Sequence, residues 1–109
     1  MITKKIKNND LSFNEQCYAL LMKIPRGRVT TYKAIAQALN TKAYQAVGNA
    51  MANNPDLINV PCHRVVNTNG HIGNYALGVE KKMALLQLEG VNIKHNKVVN
   101  FAEIYFDFS

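Results

Sequence analysis

The chain has 109 residues, a formal net charge of +6 at pH 7 and a sequence pI of about 9.5. That length suits one compact domain over 1–109 and excludes two. No apolar run is long enough to span a membrane, and the basic start Met1-Ile2-Thr3-Lys4-Lys5 leads into no signal-peptide segment, so an intracellular protein is expected. The positive balance favours polyanions, nucleic acid foremost among them inside a cell, although the lysines are scattered rather than massed. Cys17 and Cys62 are the two cysteines; they cannot form a disulfide framework, and no C-x-x-C pair marks a structural zinc site.

Residues 1–9 are polar and read as an irregular lead. Ser12-Phe13-Asn14-Glu15 then fits a capping box, with Ser12 as N-cap and Glu15 three positions on. Phe13, Cys17, Leu20, Leu21 and Ile24 follow at helical spacing and predict a helix ending near Lys23, with Cys17 as core. Pro25-Arg26-Gly27-Arg28 is a turn. Thr30 or Thr31 can cap a second helix that carries Ile35, Ala36 and Leu39 inward. A third helix over 43–53 stops before Asn54-Pro55, since proline disfavours helical geometry in the residue before it. The pair reads as a helix-turn-helix. The third helix is rich in small residues (Ala43, Ala46, Gly48, Ala50, Ala52), which let a backbone approach a neighbouring helix or a nucleic-acid groove closely.

Val65-Val66 continues as extended chain and Asn67-Thr68-Asn69-Gly70 is a turn. A fourth helix spans 79–88, and Gly90 suits the left-handed position after it. The segments 91–93 and 97–99 flank a short turn and predict a hairpin. The aromatic tail, Phe101, Tyr105, Phe106 and Phe108, is expected to pack back on the body, because exposed it would invite aggregation. The fold class is therefore α/β, mainly α: a winged-helix-like helix-turn-helix domain with short strands and a C-terminal hairpin.

Ile58-Asn59-Val60-Pro61-Cys62-His63-Arg64-Val65-Val66 resembles the active-site signature of the alkylguanine-DNA alkyltransferases. The resemblance runs from about Phe13 to Gly90. It includes Gly27-Arg28-Val29-Thr30-Thr31-Tyr32, Ala46-Val47-Gly48, Asn54-Pro55, Gly73-Asn74-Tyr75 and Leu88-Glu89-Gly90. It implies single-turnover transfer of a methyl or larger alkyl group from oxygen 6 of guanine to Cys62. Displacement at saturated carbon calls for a soft nucleophile, and thiolate is the best that a protein has. A free cysteine is mostly protonated at neutral pH and needs a base nearby. The family implies His63 in that role, through a bridging water, oriented by Glu89. Arg64 is expected to support the fold by pairing or capping. The thioether product resists water, so each molecule would act once.

The lesion lies inside the duplex, and reaching it means flipping the nucleotide into a pocket. The resemblance assigns the small-residue helix to the minor groove, with Gln45, Ala46, Gly48 and Thr31 as DNA-contacting positions. It implies that Tyr32 donates a proton or hydrogen bond to the departing guanine, and that Asn54, Val65, Tyr75, Ala76 and Leu77 serve the substrate pocket. Asn54 would hold the hairpin against the active-site segment, and the carbonyls of Cys62 and Val65 would accept the guanine amino group. Three positions depart from the best-known members: Gln45 stands at the intercalating arginine, Ala76 at a pocket serine, and Leu77 at a small residue, which is expected to narrow the pocket. The chain also lacks the N-terminal domain that many members carry. In size and tail it is similar to the single-domain alkyltransferase-like lesion sensors, which replace the cysteine, usually with tryptophan. Neither metal nor organic cofactor is implied. The expected partner is double-stranded DNA containing alkylated guanine, bound by a monomer. The rivals are a non-catalytic lesion-binding protein and a helix-turn-helix transcription factor.

Overall fold

The computed structural model describes residues 11–109; the irregular lead expected over 1–9 lies outside them. Helix α1 is Phe13–Leu21, and the capping box is present: the Glu15 amide donates to Ser12 Oγ at 3.1 Å, and the Ser12 amide to Glu15 Oε1 at 3.0 Å. Such caps stabilise a helix by about 1 kcal/mol. The helix stops short of Lys23, because Lys23 and Ile24 bond back three residues rather than four ahead of Pro25. Thr31 is the cap of α2 (Tyr32–Ala38), its hydroxyl accepting from the Ala34 amide at 3.0 Å. Helix α3 is Tyr44–Ala52; Ala43 and Asn53, predicted inside it, are its end caps.

Two short strands escape the hydrophobic pattern. Strand β1 (Thr30–Thr31) pairs in parallel with β2 (Val65–Val66), Thr30 opposite Val65 and Thr31 opposite Val66. Successive strand residues point to opposite faces, so β2 divides two clusters. Val65 joins Cys17, Leu21, Ile35, Val47 and Met51 among the first three helices. Val66 joins Val29, Ile72, Leu86, Val91 and Val98, the second core, closed by α4 (Val79–Leu88) and the hairpin. In that hairpin β3 (Ile93–Lys94) pairs antiparallel with β4 (Lys97–Val98) across His95 and Asn96, both at positive φ as a tight hairpin turn requires.

The tail returns to the body as expected. After the short helix α5 (Phe101–Ile104), Val29 donates to the Ile104 carbonyl at 3.0 Å and Phe106 to the Val29 carbonyl at 2.7 Å. The Arg28 guanidinium bonds the carbonyls of Ile104 and Tyr105 at 3.0 and 2.9 Å. Phe106 and Phe108 cover the first cluster, Phe101 and Ile104 the second.

Candidate active site

Cys62 opens a single 3-10 turn, Cys62–Arg64, that feeds directly into β2. The turn is anchored from below by Asn54, just past the end of α3. The Asn54 amide nitrogen donates to the Val60 carbonyl at 2.9 Å, and its oxygen accepts from the Asp56 amide at 2.9 Å. A buried amide with both ends used fixes α3 to the segment that presents the thiol. Burial pushes the Cys62 thiol up; the Asn54 amide and the positive charge of Lys82 pull against that without cancelling it.

His63, next in sequence, points to the C-terminus of α4. Its Nε2 lies 2.9 Å from Glu89 Oε2. Arg64 grips the same carboxylate with two nitrogens, Nε to Oε1 at 2.9 Å and NH2 to Oε2 at 2.8 Å, and caps the Ile24 carbonyl at 2.8 Å. Bidentate pairing of this kind is strong and directional. Gly27 lets α4 come this close: at its φ of +86° a Cβ would stand 3.2 Å from the Glu89 carbonyl. Burial acts to raise the Glu89 carboxyl, but the bonds from Arg64 and His63 outweigh it and leave it below the ordinary carboxylate value. Burial lowers His63 below its usual 6.5, with Glu89 opposing. An ionised carboxylate only accepts, so neutral His63 carries its proton on Nε2 and its lone pair on Nδ1, an atom buried with no hydrogen-bond partner in the protein.

The thiol borders a cavity of about 130 Å³ whose walls come from α2 (Tyr32), α3 (Gly48, Met51, Ala52) and the segment Asn74-Tyr75-Ala76. The Tyr75 ring meets the His63 ring edge-on, centroids 6.5 Å apart. Tyr32 also walls a neighbouring surface trough with Lys33, Tyr44, Asn67 and Thr68. Among the described residues no His, Cys, Asp and Glu side chains gather as a metal site would require.

Cys62, His63, Glu89, Tyr32, Asn54, Gly48, Tyr75 and Ala76 thus converge. Gln45 is exposed and Ala46 half-buried, both on the first turn of α3 and away from the cavity wall. Two expectations, for Thr31 and Leu77, need correction. Thr31 is buried, with its hydroxyl spent on capping α2, so its side chain does not face DNA. The Val65 side chain is core, held there by the strand pairing; the expectation for Val65 concerned its backbone carbonyl, which that placement does not touch. Leu77 is 58% exposed and leaves the cavity for an outer groove with Ile58, Lys81 and Leu85.

A model of the 6-O-methylguanine DNA methyltransferase DNA-binding domain matches residues 12–91. The chain belongs to this family. It is 52% identical over 81 residues to a methylated-DNA–protein-cysteine methyltransferase of Saccharolobus islandicus, covering 74% of this chain and 52% of that one. A Metallosphaera sedula protein of the same name is 48% identical over 89 residues, 82% of this chain and 56% of its own. The chain therefore spans about half the length of the curated relatives it matches. Among solved structures, the O6-methylguanine-DNA methyltransferase of Pyrococcus kodakaraensis superposes with TM-score 0.68 at 49% identity, over 74% of this chain and 47% of that one. Schizosaccharomyces pombe Atl1, solved with damaged DNA containing O6-carboxymethylguanine, superposes with TM-score 0.77 at 28% identity, over 87% of this chain and 94% of Atl1.

For this member of the methyltransferase family the sequence had left three site residues unnamed. Met51 and Ala52 follow Gly48 by three and four positions, so helical spacing alone would have put them on the same wall. Lys82 had no signal: it sits in α4 among charged neighbours, yet it is 0% exposed.

Proposed function

We propose that the chain transfers an alkyl group, methyl above all, from oxygen 6 of guanine in DNA to Cys62, once per molecule. The observation that carries this is the thiol on a cavity wall beside a histidine whose basic nitrogen is free and whose other nitrogen is fixed by a carboxylate. In this reading His63 Nδ1 takes the thiol proton through one water. The sulfur attacks the alkyl carbon, an S–C bond forms, and the C–O bond to guanine breaks. Tyr32, whose hydroxyl burial holds protonated above its ordinary value, gives a proton to the departing base. Glu89 and Arg64 orient His63 and balance its charge. The lesion-bearing nucleotide enters by flipping, with its strand lying along the trough of Tyr32, Lys33 and Tyr44. That trough joins an aromatic face to a cation, as single strands require. The protein would work inside the cell, where DNA is.

A second reading, lesion binding without transfer, draws on the fit to nearly the whole of Atl1 and on the buried, raised thiol. Incubation with duplex carrying radiolabelled methylguanine separates the readings. Label on the protein supports transfer. Selective binding of the lesion with no label on the protein supports the second reading, and sequence-selective binding would displace both.

The position of Leu77 bears on substrate range. Because its side chain lies outside the cavity, Leu77→Gly should react with free benzylguanine at the wild-type rate, measured in single turnover. A tenfold or greater gain, the scale expected from relieving an overpacked pocket, would put Leu77 back at the pocket wall.

A further inference from the structure

Residues 70–72 run beside the C-terminal hairpin and extend it to a three-stranded ribbon. The Val98 amide donates to the Gly70 carbonyl and the Ile72 amide to the Asn96 carbonyl, both at 3.0 Å. Two registers then align three side chains. Lys94 stands opposite Lys97 across the hairpin, and Lys97 stands opposite His71 on its other side. Directly opposed residues of antiparallel strands point to the same face, with Cβ atoms about 5 Å apart. Their chain neighbours Ile72 and Val98 are buried in the second core, so the face that carries these three is the outer one. All three are exposed. Lys94, Lys97 and His71 therefore form one row across the ribbon.

Like charges directly opposed destabilise a strand pair. No carboxylate relieves this one: among the described residues the ion pairs are those of Glu89 with His63 and Arg64. A row of cations held in register by the backbone is complementary to a row of anions, and a nucleic-acid backbone presents phosphates in that way. The row is also continuous with the site. The turn 67–70 that leads into the ribbon places Asn67 and Thr68 on the trough of Tyr32, Lys33 and Tyr44. We propose that the row of Lys94, Lys97 and His71 is a phosphate-binding extension of the DNA interface, holding the duplex backbone beyond the nucleotide that enters the cavity. Taking DNA as the occupant rests on the proposed function. Contacts to phosphate fix position and orientation without reading sequence, which suits a protein that must act on a lesion in any sequence.

The test is the salt dependence of binding, measured with a duplex that contains methylguanine and with the same duplex undamaged. Each phosphate contact contributes about 0.9 to the slope of log affinity against log salt. Lys94→Gln combined with Lys97→Gln should therefore reduce the slope by nearly two, and weaken binding at about 0.1 M salt by at least about tenfold. Lys23→Gln, an exposed lysine outside the row and the trough, should leave the slope unchanged. Lys97→Glu separates binding from structure. It sets an opposite charge against Lys94, so the melting temperature should hold or rise, while affinity for duplex falls further than in Lys97→Gln. A slope unchanged in the double variant, or a fall no larger per lysine than in Lys23→Gln, would overturn the proposal. If wild type transferred no alkyl group yet the slope fell in the double variant, the proposed reaction would fail and the interface would stand. Transfer by wild type together with an unchanged slope would leave the reaction standing and remove the row.

Discussion

Glu89→Gln is expected to slow alkyl transfer by about one to two orders of magnitude, the scale of general-base assistance, with little change in binding to methylated duplex. Glutamine keeps the shape and loses the charge. It can no longer accept from His63 and from both nitrogens of Arg64, the bonds now at 2.8 to 2.9 Å. Two things follow. The proton of His63 is no longer held on Nε2, so Nδ1 is basic for only part of the time. Arg64 also loses its counter-ion beside the ring and disfavours the imidazolium that forms when the thiol proton arrives. Single-turnover rates measured below the melting temperature of the variant check this. Equal rates for wild type, Glu89→Gln and His63→Ala would remove the relay from the mechanism. The pH profile carries the same information. Burial keeps His63 neutral below its ordinary 6.5, and Glu89, ionised, opposes that burial. The acid limb of transfer should accordingly lie below pH 6.5 in wild type and move lower still in Glu89→Gln, where no carboxylate favours the imidazolium.

Lys82→Met should make the fold more stable. Burial lowers Lys82 from 10.5 to about 8. Between those values the unfolded chain binds a proton that the folded chain has lost, so stability rises with pH across this window and is lost as pH falls through about 8. At neutral pH the buried charge then costs on the order of 3 kcal/mol, since each tenfold loss of proton affinity is worth about 1.4 kcal/mol. Methionine removes the cost without leaving an orphan charge, as replacing buried ions by apolar groups of similar volume often does. Thermal unfolding should show Lys82→Met more stable than wild type at pH 7, with the gap closing as pH rises from about 8 to 10.5; the raised thiols of Cys17 and Cys62 act on both proteins alike. A variant less stable than wild type at pH 7 would show that the Asn74 bond, at 3.0 Å, outweighs the buried charge. A stability sacrificed at a reactive site is a common trade in proteins.

Helices α1 to α4 were legible because each carries local signals that tertiary structure did not override; the short α5 was not. Ser12 with Glu15, Thr31 ahead of an apolar stripe, Pro55 after Asn54, and Gly90 after Leu88 mark ends, and the observed ends lie within a few residues of them. The strand pair of Thr30–Thr31 with Val65–Val66 was not legible. Two residues offer no periodicity, and the partner lies thirty-odd positions away, on the far side of the helix-turn-helix. The site divided in the same way. Cys62, His63 and Glu89 were found because reactive residue types stood in a familiar order. Leu77 was misplaced because sequence fixes a position along the loop but not the direction in which its side chain leaves it. Thr31 was assigned two roles, cap and DNA contact, and one hydroxyl serves the first. Lys82 was invisible because a lysine on a mixed, weakly amphipathic helix reads as solvent-facing; only the packing of α4 over the cavity shows that it faces in.

Where the alkyl group ends up is the most direct test of alkyl transfer to Cys62. The protein is exposed to duplex containing methylguanine, its intact mass is measured, and its peptides are mapped. One added methyl is expected, on the sulfur of Cys62, with Cys17, buried in the first core, unmodified. A methyl on Cys17, or transfer that survives Cys62→Ala, would contradict it.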